Sequence, residues 1–251
     1  MMLEGRGISK GITEGEVVKV EDPVSFLGDV DPDTGMVFKA KSVKDSIFVF
    51  PSGRGSTVGS YVIYQLKKNG TAPKAMINGK SETIVATGAI ISDIPLIDKI
   101  QIDLFKDGDK VELDGSEGII DLKNVNKQPV VTCFLRKDDK ILLLKRGEDV
   151  GSYQKKWSAV SGYVETERLL DQALIEIEQE TGLDSELVNK GESVLVRYKN
   201  KIWEVNPFLF DVKGKVEMNW ENVEYQWVDP EDMKEMDTVP KLWEAYQSVR
   251  G

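Results

Sequence analysis

The 251-residue sequence contains no histidine and only one cysteine, and both shortages restrict its chemistry. Without histidine, the chain cannot supply an imidazole general base, a histidine zinc ligand or the histidine of a catalytic triad. The lone Cys133 allows no internal disulfide, and its apolar strand pattern predicts a core position. One thiol also cannot provide the usual cysteine ligands of an iron–sulfur cluster, so a reaction that needs such a cluster would require it on another polypeptide.

Long apolar runs and an excess of positive charge are also missing. No run approaches the roughly 18 apolar residues of a membrane-spanning helix, and the N-terminal residues lack the basic-then-apolar pattern of a signal peptide. We therefore expect a cytoplasmic protein without a membrane partner. A formal net charge of −10 argues against nonspecific nucleic-acid binding, which depends on neutralising phosphates. A small anionic substrate is still compatible with this charge, because a local Arg/Lys site can oppose the global field.

Turn signals and strand patterns predict two domains. Residues 1–122 contain short β-runs separated by Gly, Pro and Asp turns, and the polar residues 123–128 are interpreted as a linker. Residues 129–251 begin with a pattern typical of a β-hairpin. The fold class predicted from this organisation is a mixture of α/β and α+β in two domains.

One helix of the first domain stands out. Apolar residues at helical spacing predict it over residues 57–68, with Gly70 as its C-terminal signal. The β-run at residues 46–50 precedes it, and the apolar residues 84–86 after it are interpreted as another core strand.

The segment that joins this strand to this helix reads Pro-Ser-Gly-Arg-Gly-Ser-Thr at residues 51–57. Its glycines let the backbone approach a ligand, and Ser56 or Thr57 is placed to cap a helix whose free N–H groups attract anions. Arg54 adds a planar cation suited to carboxylate or phosphate. Two interpretations stay open: an anion site with Ser56 as base or donor, and a purely structural turn with an N-cap serine.

Four segments of the first domain resemble the swivel-domain family of the aconitase X enzymes. They are residues 5–11, 23–28 and 30–35, and a longer segment within residues 50–90 that contains Gly-Arg-Gly-Ser-Thr. The resemblance implies a swivelling β/β/α fold. It also implies that Ser56 is the catalytic serine. Arg54, Gly55 and Thr57 beside it are the candidates for binding the substrate.

The same resemblance implies an activity and a partner. Members of this kind are small-subunit components of a dehydratase, a hydro-lyase, which acts on 5-phosphomevalonate in an archaeal mevalonate pathway of isoprenoid biosynthesis. Such enzymes use a 4Fe–4S cluster as a Lewis acid on the departing hydroxyl. Because this chain has one cysteine, the cluster is expected on a larger, separate iron–sulfur subunit.

The second domain resembles the Nudix hydrolases over most of residues 129–251. The resemblance rests on the hairpin, on Trp-Ser-Ala-Val-Ser-Gly-Tyr-Val-Glu at residues 157–165, and on a helix ending in Glu-Thr-Gly at residues 180–182. It implies an α/β/α sandwich in which helix carboxylates hold Mg²⁺ or Mn²⁺ against a diphosphate.

The carboxylate motif of this helix is altered. Glu176 and Glu180 lie four residues apart on one face and match metal ligands, but Gln179 stands where a third carboxylate is expected. Alignment through the helix makes Glu167 the loop glutamate of the motif. Glu167 and two downstream residues are the candidates for the catalytic base: Glu221 and Glu224.

Three alternatives follow for this second domain. It is an active Mg²⁺-dependent hydrolase of a nucleoside or isoprenoid diphosphate, a Nudix-shaped module kept for packing, ligand binding or assembly, or a noncatalytic sensor that regulates the dehydratase.

Overall fold

The computed structural model describes residues 1–250, and the chain divides into two compact units, Met1–Asn126 and Lys127–Gly251. Both units combine mixed or antiparallel sheets with helices, which confirms the predicted fold class. Within residues 1–250, no helix has the length and apolar composition needed to cross a membrane.

The first unit is built on one large mixed sheet. Its helices are α1 (Phe26–Asp29), α2 (Gly59–Asn69) and α3 (Thr83–Ile91), with a 3₁₀ turn at Ile102–Leu104. Its strands are β1 (Met2–Glu4), β2 (Arg6–Ser9), β3 (Ile12–Lys19), β4 (Val30–Asp31), β5 (Met36–Val37), β6 (Lys41–Ser42), β7 (Ile47–Ser52), β8 (Ala75–Lys80), β9 (Leu96–Asp98), β10 (Lys110–Asp114) and β11 (Ile119–Leu122). The large sheet has the order β1-β11-β10-β3-β7-β8-β9-β2, and β4, β5 and β6 form a small separate sheet.

The centre of the large sheet determines where a site can form. Strands β3, β7, β8 and β9 run parallel to one another, and their neighbours β10 and β2 run antiparallel. The carboxyl ends of parallel strands meet at one edge, where ligands commonly bind in open α/β sheets. The register pairs Ser52 at the end of β7 with Lys80 at the end of β8. The loops that follow these two strands therefore start side by side.

Helices α2 and α3 pack on the sheet through a shared apolar core. Phe48 and Phe50 of β7 stack at 4.8 Å between ring centroids and lie in one buried cluster with Ile63 of α2 and Val85 of α3. Gly88 of α3 lies against Ile63, because a Cβ at this glycine would come 2.6 Å from the Ile63 Cδ1 atom. The close approach of the two helices therefore depends on the missing side chain.

Two predictions for this unit need correction. Residues 84–86 were expected to form a strand but lie in helix α3, since a short apolar run cannot distinguish a buried strand from a buried helix. Helix α2 begins at Gly59 rather than at residue 57, and its N-cap residue is Val58. Ser56 and Thr57 therefore do not cap the helix, although Gly70 ends it in the left-handed conformation as expected.

The second unit contains a second eight-stranded sheet. Its strands are β12 (Asn126–Lys137), β13 (Lys140–Arg146), β14 (Trp157–Ser158), β15 (Val160–Tyr163), β16 (Asp184–Lys190), β17 (Val194–Tyr198), β18 (Lys201–Lys213) and β19 (Asn222–Val228). Its helices are α4 (Leu169–Thr181) and α5 (Leu242–Val249), with a 3₁₀ turn at Pro230–Lys234. The order β14-β13-β12-β18-β16 forms the main path, while β15 pairs with β12, β17 with β18 and β19 with β13.

Consecutive buried residues of β12 belong to different core clusters, which places one helix on each side of this sheet. Cys133 and its neighbours on that face share a core cluster with Ala173 and Ile177 of α4. Phe134, one residue along, shares a different cluster with Tyr246 of α5 and contacts its ring edge-on at 5.3 Å. This arrangement is the α/β/α sandwich that the sequence predicts, and Cys133 is fully buried as expected.

A strand begins inside the segment interpreted as a linker, residues 123–128. Strand β12 begins at Asn126, so residues 126–128 are extended backbone of the second unit's sheet rather than irregular chain. Lys123 is held at the other end, because its ammonium group contacts the carboxylates of Glu112 and Asp121. A polar composition alone predicted a linker here, but polar residues also suit an exposed strand end.

Candidate functional site

The candidate site of the first unit is the loop that leaves the carboxyl end of β7, residues 53–58, which we call the serine loop. Arg54 through Val58 are exposed, so Ser56 presents its hydroxyl to solvent. The Ser56 Oγ accepts a 3.3 Å hydrogen bond from the Val58 N–H, which closes a short turn before helix α2. Gly55 has a φ of 94°, a left-handed conformation that favours glycine.

Arg54 is oriented by residues that precede the loop by about 30 positions. Its Nε donates to the Pro23 carbonyl at 2.9 Å, and its Nη2 lies 3.0 Å from the Asp29 Oδ2 atom. The side chain of Arg54 is nevertheless 58% exposed. Because a guanidinium carries five N–H donors, the remaining donors of Arg54 can bind a ligand.

The backbone of the serine loop provides donors that the helix start does not. Within residues 1–250, the amide N–H groups of Gly55, Ser56 and Thr57 have no hydrogen-bond acceptor. In contrast, the N–H of Gly59 donates to the Ser56 carbonyl at 2.9 Å, and that of Ser60 donates to Thr57 at 3.4 Å. The amides without an internal acceptor are therefore those of the loop, whereas the sequence pointed to those of the helix start.

Polar side chains missed by the sequence analysis border this loop. A Cβ at Gly55 would lie 2.9 Å from the Ser25 Oγ, and a Cβ at Gly53 would lie 2.8 Å from the Glu82 Oε2. This Glu82 oxygen is buried and has no partner among the described residues. Ser25 falls within residues 23–28, a segment of the swivel-domain resemblance, but no sequence pattern indicates that Glu82 lies nearby.

The second unit carries its candidate site on α4, which we call the carboxylate helix. The Glu180 Oε1 accepts from the Ser161 N–H at 3.0 Å, and its Oε2 accepts from the Asn222 side-chain amide at 2.9 Å. Burial raises the pKa of Glu180 to about 7, and the nearby charges of Glu221 and Glu176 act in the same direction. The two hydrogen bonds oppose this rise but do not cancel it.

Glu176 shares the inner face of the helix with Glu180, as its spacing predicts. The Gln172 Nε2 donates to the Glu176 Oε1 at 2.7 Å. Burial raises the pKa of Glu176, the Gln172 hydrogen bond lowers it, and the charges of Glu221 and Glu165 raise it further. Gly162 of β15 lies directly against this carboxylate, because any Cβ there would come within 2.5 Å of it.

The other carboxylate candidates separate into two groups. Glu221 lines the cavity beside the carboxylate helix, and so do Gln179 and Glu165. Glu167, the expected loop glutamate, is exposed, and it is Glu165 that borders the cavity. Glu224 lies on β19, where it pairs with Lys145 at 3.3 Å. The shortened loop places Glu165 two residues before the position that the alignment favoured.

The carboxylate oxygens of the carboxylate helix are not arranged to coordinate a divalent cation. Mg²⁺ prefers several oxygen ligands with octahedral geometry. Here both oxygens of Glu180 and one oxygen of Glu176 already accept hydrogen bonds from protein donors. Among residues 1–250, no group of three or more His, Cys, Asp or Glu side chains is arranged to hold a metal ion.

An iron–sulfur cluster also finds no ligands in this chain. Cys133 is the single cysteine, and its Sγ lies in the core of the second unit, 3.8 Å from the Ala173 carbonyl. Burial raises the pKa of this thiol well above its usual value, which opposes the thiolate form that metals bind.

These features define the first unit as a swivelling β/β/α domain that presents a serine loop, and the second as a Nudix-type sandwich with an altered carboxylate helix. Residues 2–122 match the aconitase X swivel domain, and residues 126–249 match the NUDIX domain. The chain belongs to the aconitase X swivel-domain family and carries a NUDIX domain after it.

Named relatives cover each half separately. The phosphomevalonate dehydratase small subunit of Methanosarcina acetivorans is 56% identical over 129 residues, which is 48% of this chain and 90% of that protein. The crystal structure of Thermococcus kodakaraensis aconitase X in its holo-form is 53% identical, covers 49% of this chain and 98% of its own, and has a TM-score of 0.48. The crystal structure of MutT protein from Methanosarcina mazei Go1 is 25% identical and has a TM-score of 0.44. The match covers 51% of this chain and 94% of that protein.

Proposed function

We propose that the first unit is the serine-bearing, small-subunit-like component of an aconitase X type dehydratase that acts on 5-phosphomevalonate. The observation that carries the proposal is the 56% identity to a phosphomevalonate dehydratase small subunit. The match includes 90% of the length of that small subunit. A small subunit implies a larger partner, and we propose that the partner carries the iron–sulfur cluster, since this chain has one buried cysteine.

Ser56 is the proposed proton-transfer group. A serine hydroxyl is a weak base in water, so it needs a site that excludes water and stabilises negative charge on its oxygen. The Ser56 hydroxyl is exposed on the first unit alone, so the partner would have to cover the loop. Arg54, 58% exposed, supplies a fixed positive charge two residues away. The swivel of the domain would then close the site over the substrate.

The unpaired amides of the serine loop support a phosphorylated substrate. The N–H groups of Gly55, Ser56 and Thr57 have no acceptor within residues 1–250, and Arg54 retains further N–H donors. Backbone nests and guanidinium groups both suit phosphate or carboxylate oxygens. In the proposed reaction these groups would hold the substrate, and a cluster on the partner would supply Lewis-acid chemistry.

The test is dehydration of 5-phosphomevalonate by the complex of the full chain with its partner. We expect Ser56→Ala to lower kcat roughly 10²- to 10⁴-fold while the complex still assembles. The matched control is Ser42→Ala, an exposed serine on β6 that should leave kcat unchanged. Full activity of Ser56→Ala would refute the proposed role of Ser56, and equal losses in both variants would indicate a nonspecific defect.

A further inference from the structure

The side chain of Ser25 borders the serine loop, and the proposed function does not yet use it. A parallel bridge pairs Val24 with Gly53, so the chain before helix α1 runs beside the start of the loop. Two hydrogen bonds hold it there: the Val24 N–H donates to the Ser52 carbonyl at 2.9 Å, and the Arg54 N–H donates to the Val24 carbonyl at 2.9 Å. Ser25 is therefore fixed alongside the residues that carry the free amides.

The Ser25 hydroxyl lies against the backbone of Gly55. A Cβ added at Gly55 would come 2.9 Å from the Ser25 Oγ and 3.6 Å from the Ser25 Cβ. Gly55 also has a φ of 94°, a conformation that L side chains rarely adopt. Because residue 55 has no side chain, the hydroxyl approaches the backbone next to the free N–H groups of Gly55 and Ser56. The hydroxyl and these amides therefore belong to one cluster of donors.

The hydroxyl of Ser25 is free, although serine at this position ordinarily caps a helix. Ser25 is the N-cap residue of α1, yet its side chain makes no capping hydrogen bond. Nor does the hydroxyl have another partner in the described part of the chain. Ser25 is half-buried, and its Oγ is not one of the sealed, unpartnered atoms of residues 1–250. The hydroxyl can therefore donate to a ligand, since its hydrogen rotates to suit the acceptor.

The backbone of Ser25 also helps to orient Arg54. The Asp29 Oδ2 accepts from the Ser25 N–H at 2.8 Å and from the Arg54 Nη2 at 3.0 Å. The Ser25 carbonyl accepts from the Asp29 N–H at 2.7 Å, which closes this turn. Because these contacts use only the backbone of Ser25, a change of its side chain would leave Asp29 and Arg54 in place.

We propose that Ser25 is a substrate-binding residue of the same site, and that its hydroxyl donates to the phosphate group of the substrate. This inference rests on the proposed dehydratase function. The donors around the loop are three backbone amides, the guanidinium of Arg54 and the Ser25 hydroxyl. Such a number of donors suits a phosphate, which has three strong acceptor oxygens, better than a carboxylate, which has two.

Steady-state dehydration of 5-phosphomevalonate by the complex of the full chain with its partner tests this role. We expect Ser25→Ala to raise KM about tenfold and to change kcat by less than about twofold, because a hydrogen bond to a charged group is lost while Ser56 is unchanged. The matched control is Ser116→Ala, an exposed serine in the turn after β10, which should keep both constants. This turn lies at the other edge of the sheet, since Asp114 at the end of β10 pairs with Ile12 at the start of β3.

Inhibition by simple anions identifies the group that Ser25 contacts. Inorganic phosphate should inhibit the unmodified complex competitively, and Ser25→Ala should raise its inhibition constant about tenfold. Acetate, which presents only a carboxylate, should inhibit both complexes equally. The assignment to the phosphate group is overturned by a phosphate inhibition constant that Ser25→Ala leaves unchanged, by an effect confined to acetate, or by no inhibition by phosphate.

The kinetics also separate this inference from the proposed function. An active unmodified complex in which Ser25→Ala keeps KM, or loses only kcat, would overturn the role of Ser25 and leave the proposed function standing. If the unmodified complex does not dehydrate 5-phosphomevalonate, the proposed function fails, and the role of Ser25 in binding that substrate fails with it.

Discussion

The serine loop before helix α2 and the carboxylate helix α4 both present polar groups of a candidate site, yet the protein treats these groups in opposite ways. In the serine loop, the hydroxyl of Ser56 is exposed and three consecutive amides have no internal acceptor. In the carboxylate helix, Glu180 is buried and both of its oxygens accept hydrogen bonds from the protein. Unpaired donors mark a surface that remains available to a ligand, whereas satisfied acceptors mark a site that the fold has filled for itself.

Two buried carboxylates extend the comparison to electrostatics. Asp98 and Glu180 are both desolvated, which by itself raises the pKa of each. Hydrogen bonds from Arg6 and the Ser81 N–H, together with the charge of Arg6, then lower the pKa of Asp98 below its usual value. Glu180 has only neutral donors and a carboxylate neighbour, so its pKa stays raised. A cationic partner therefore decides the sign of the shift.

After the loss of kcat expected for Ser56→Ala, the largest expected effect concerns Arg54 and its partner Asp29. In the assembled dehydratase, Arg54→Gln should raise KM roughly 10- to 100-fold, because it removes the proposed charge-assisted contact to the substrate. Asp29→Asn breaks the same ion pair but leaves the arginine charge in place, so KM should stay the same or fall. Steady-state kinetics on both variants separate the roles, and equal increases in KM would show that Arg54 only holds the loop.

The next effect is on stability in the second unit. Because the pKa of Glu180 is raised to about 7, its stabilising contribution is fully present below pH 4.5 and is lost as pH rises through 7. Relative to Glu180→Gln, the unmodified chain should lose on the order of 3 kcal/mol of unfolding free energy across this range. Urea unfolding followed by tryptophan fluorescence reports this unit, since every tryptophan of the chain lies after residue 126. Parallel pH profiles of the two proteins would contradict the raised pKa.

Asp98 should show the opposite pH dependence. Because the pKa of Asp98 is lowered by folding, its carboxylate stabilises the folded state above pH 3.8, the pKa of the unfolded chain. This stabilisation is lost as pH falls through the pKa of the folded state. Asp98→Asn should therefore destabilise the first unit by roughly 1–2 kcal/mol at neutral pH, with the difference disappearing in acid. Hydrogen exchange of peptides from β8 and β9 measures this change. A deficit that persists unchanged in acid would show that packing, and not charge, is responsible.

The smallest expected effect separates the two interpretations of Ser56. A true N-cap serine contributes about 1 kcal/mol, but Ser56 makes one exposed 3.3 Å bond and does not cap helix α2. Ser56→Ala should therefore change the melting temperature by less than about 2 °C. A loss typical of a missing cap would favour the structural interpretation.

Local patterns predicted the elements that surround each site. The periodicity of residues 57–68 gave most of helix α2, and Gly182 ended α4 in the left-handed conformation that the sequence Glu-Thr-Gly indicates. Residues 84–86 were assigned wrongly, because their apolar run fits a buried helix as well as a strand.

The contacts that give each site its character could not be predicted. Asp29 reaches Arg54 across 25 positions, and Asn222 reaches Glu180 across 42. Pairings over such separations follow from sheet order and register, which hydrophobic periodicity does not encode.

The central claim is that the first unit serves a dehydratase that is complete only with a larger partner. The most direct measurement is an anaerobic affinity purification of the tagged full chain from its source cells, followed by mass spectrometry, iron analysis and a 5-phosphomevalonate dehydration assay. We predict a stoichiometric, larger iron–sulfur protein in the eluate and dehydration activity. An iron-free chain recovered alone, with no dehydration, would contradict the claim.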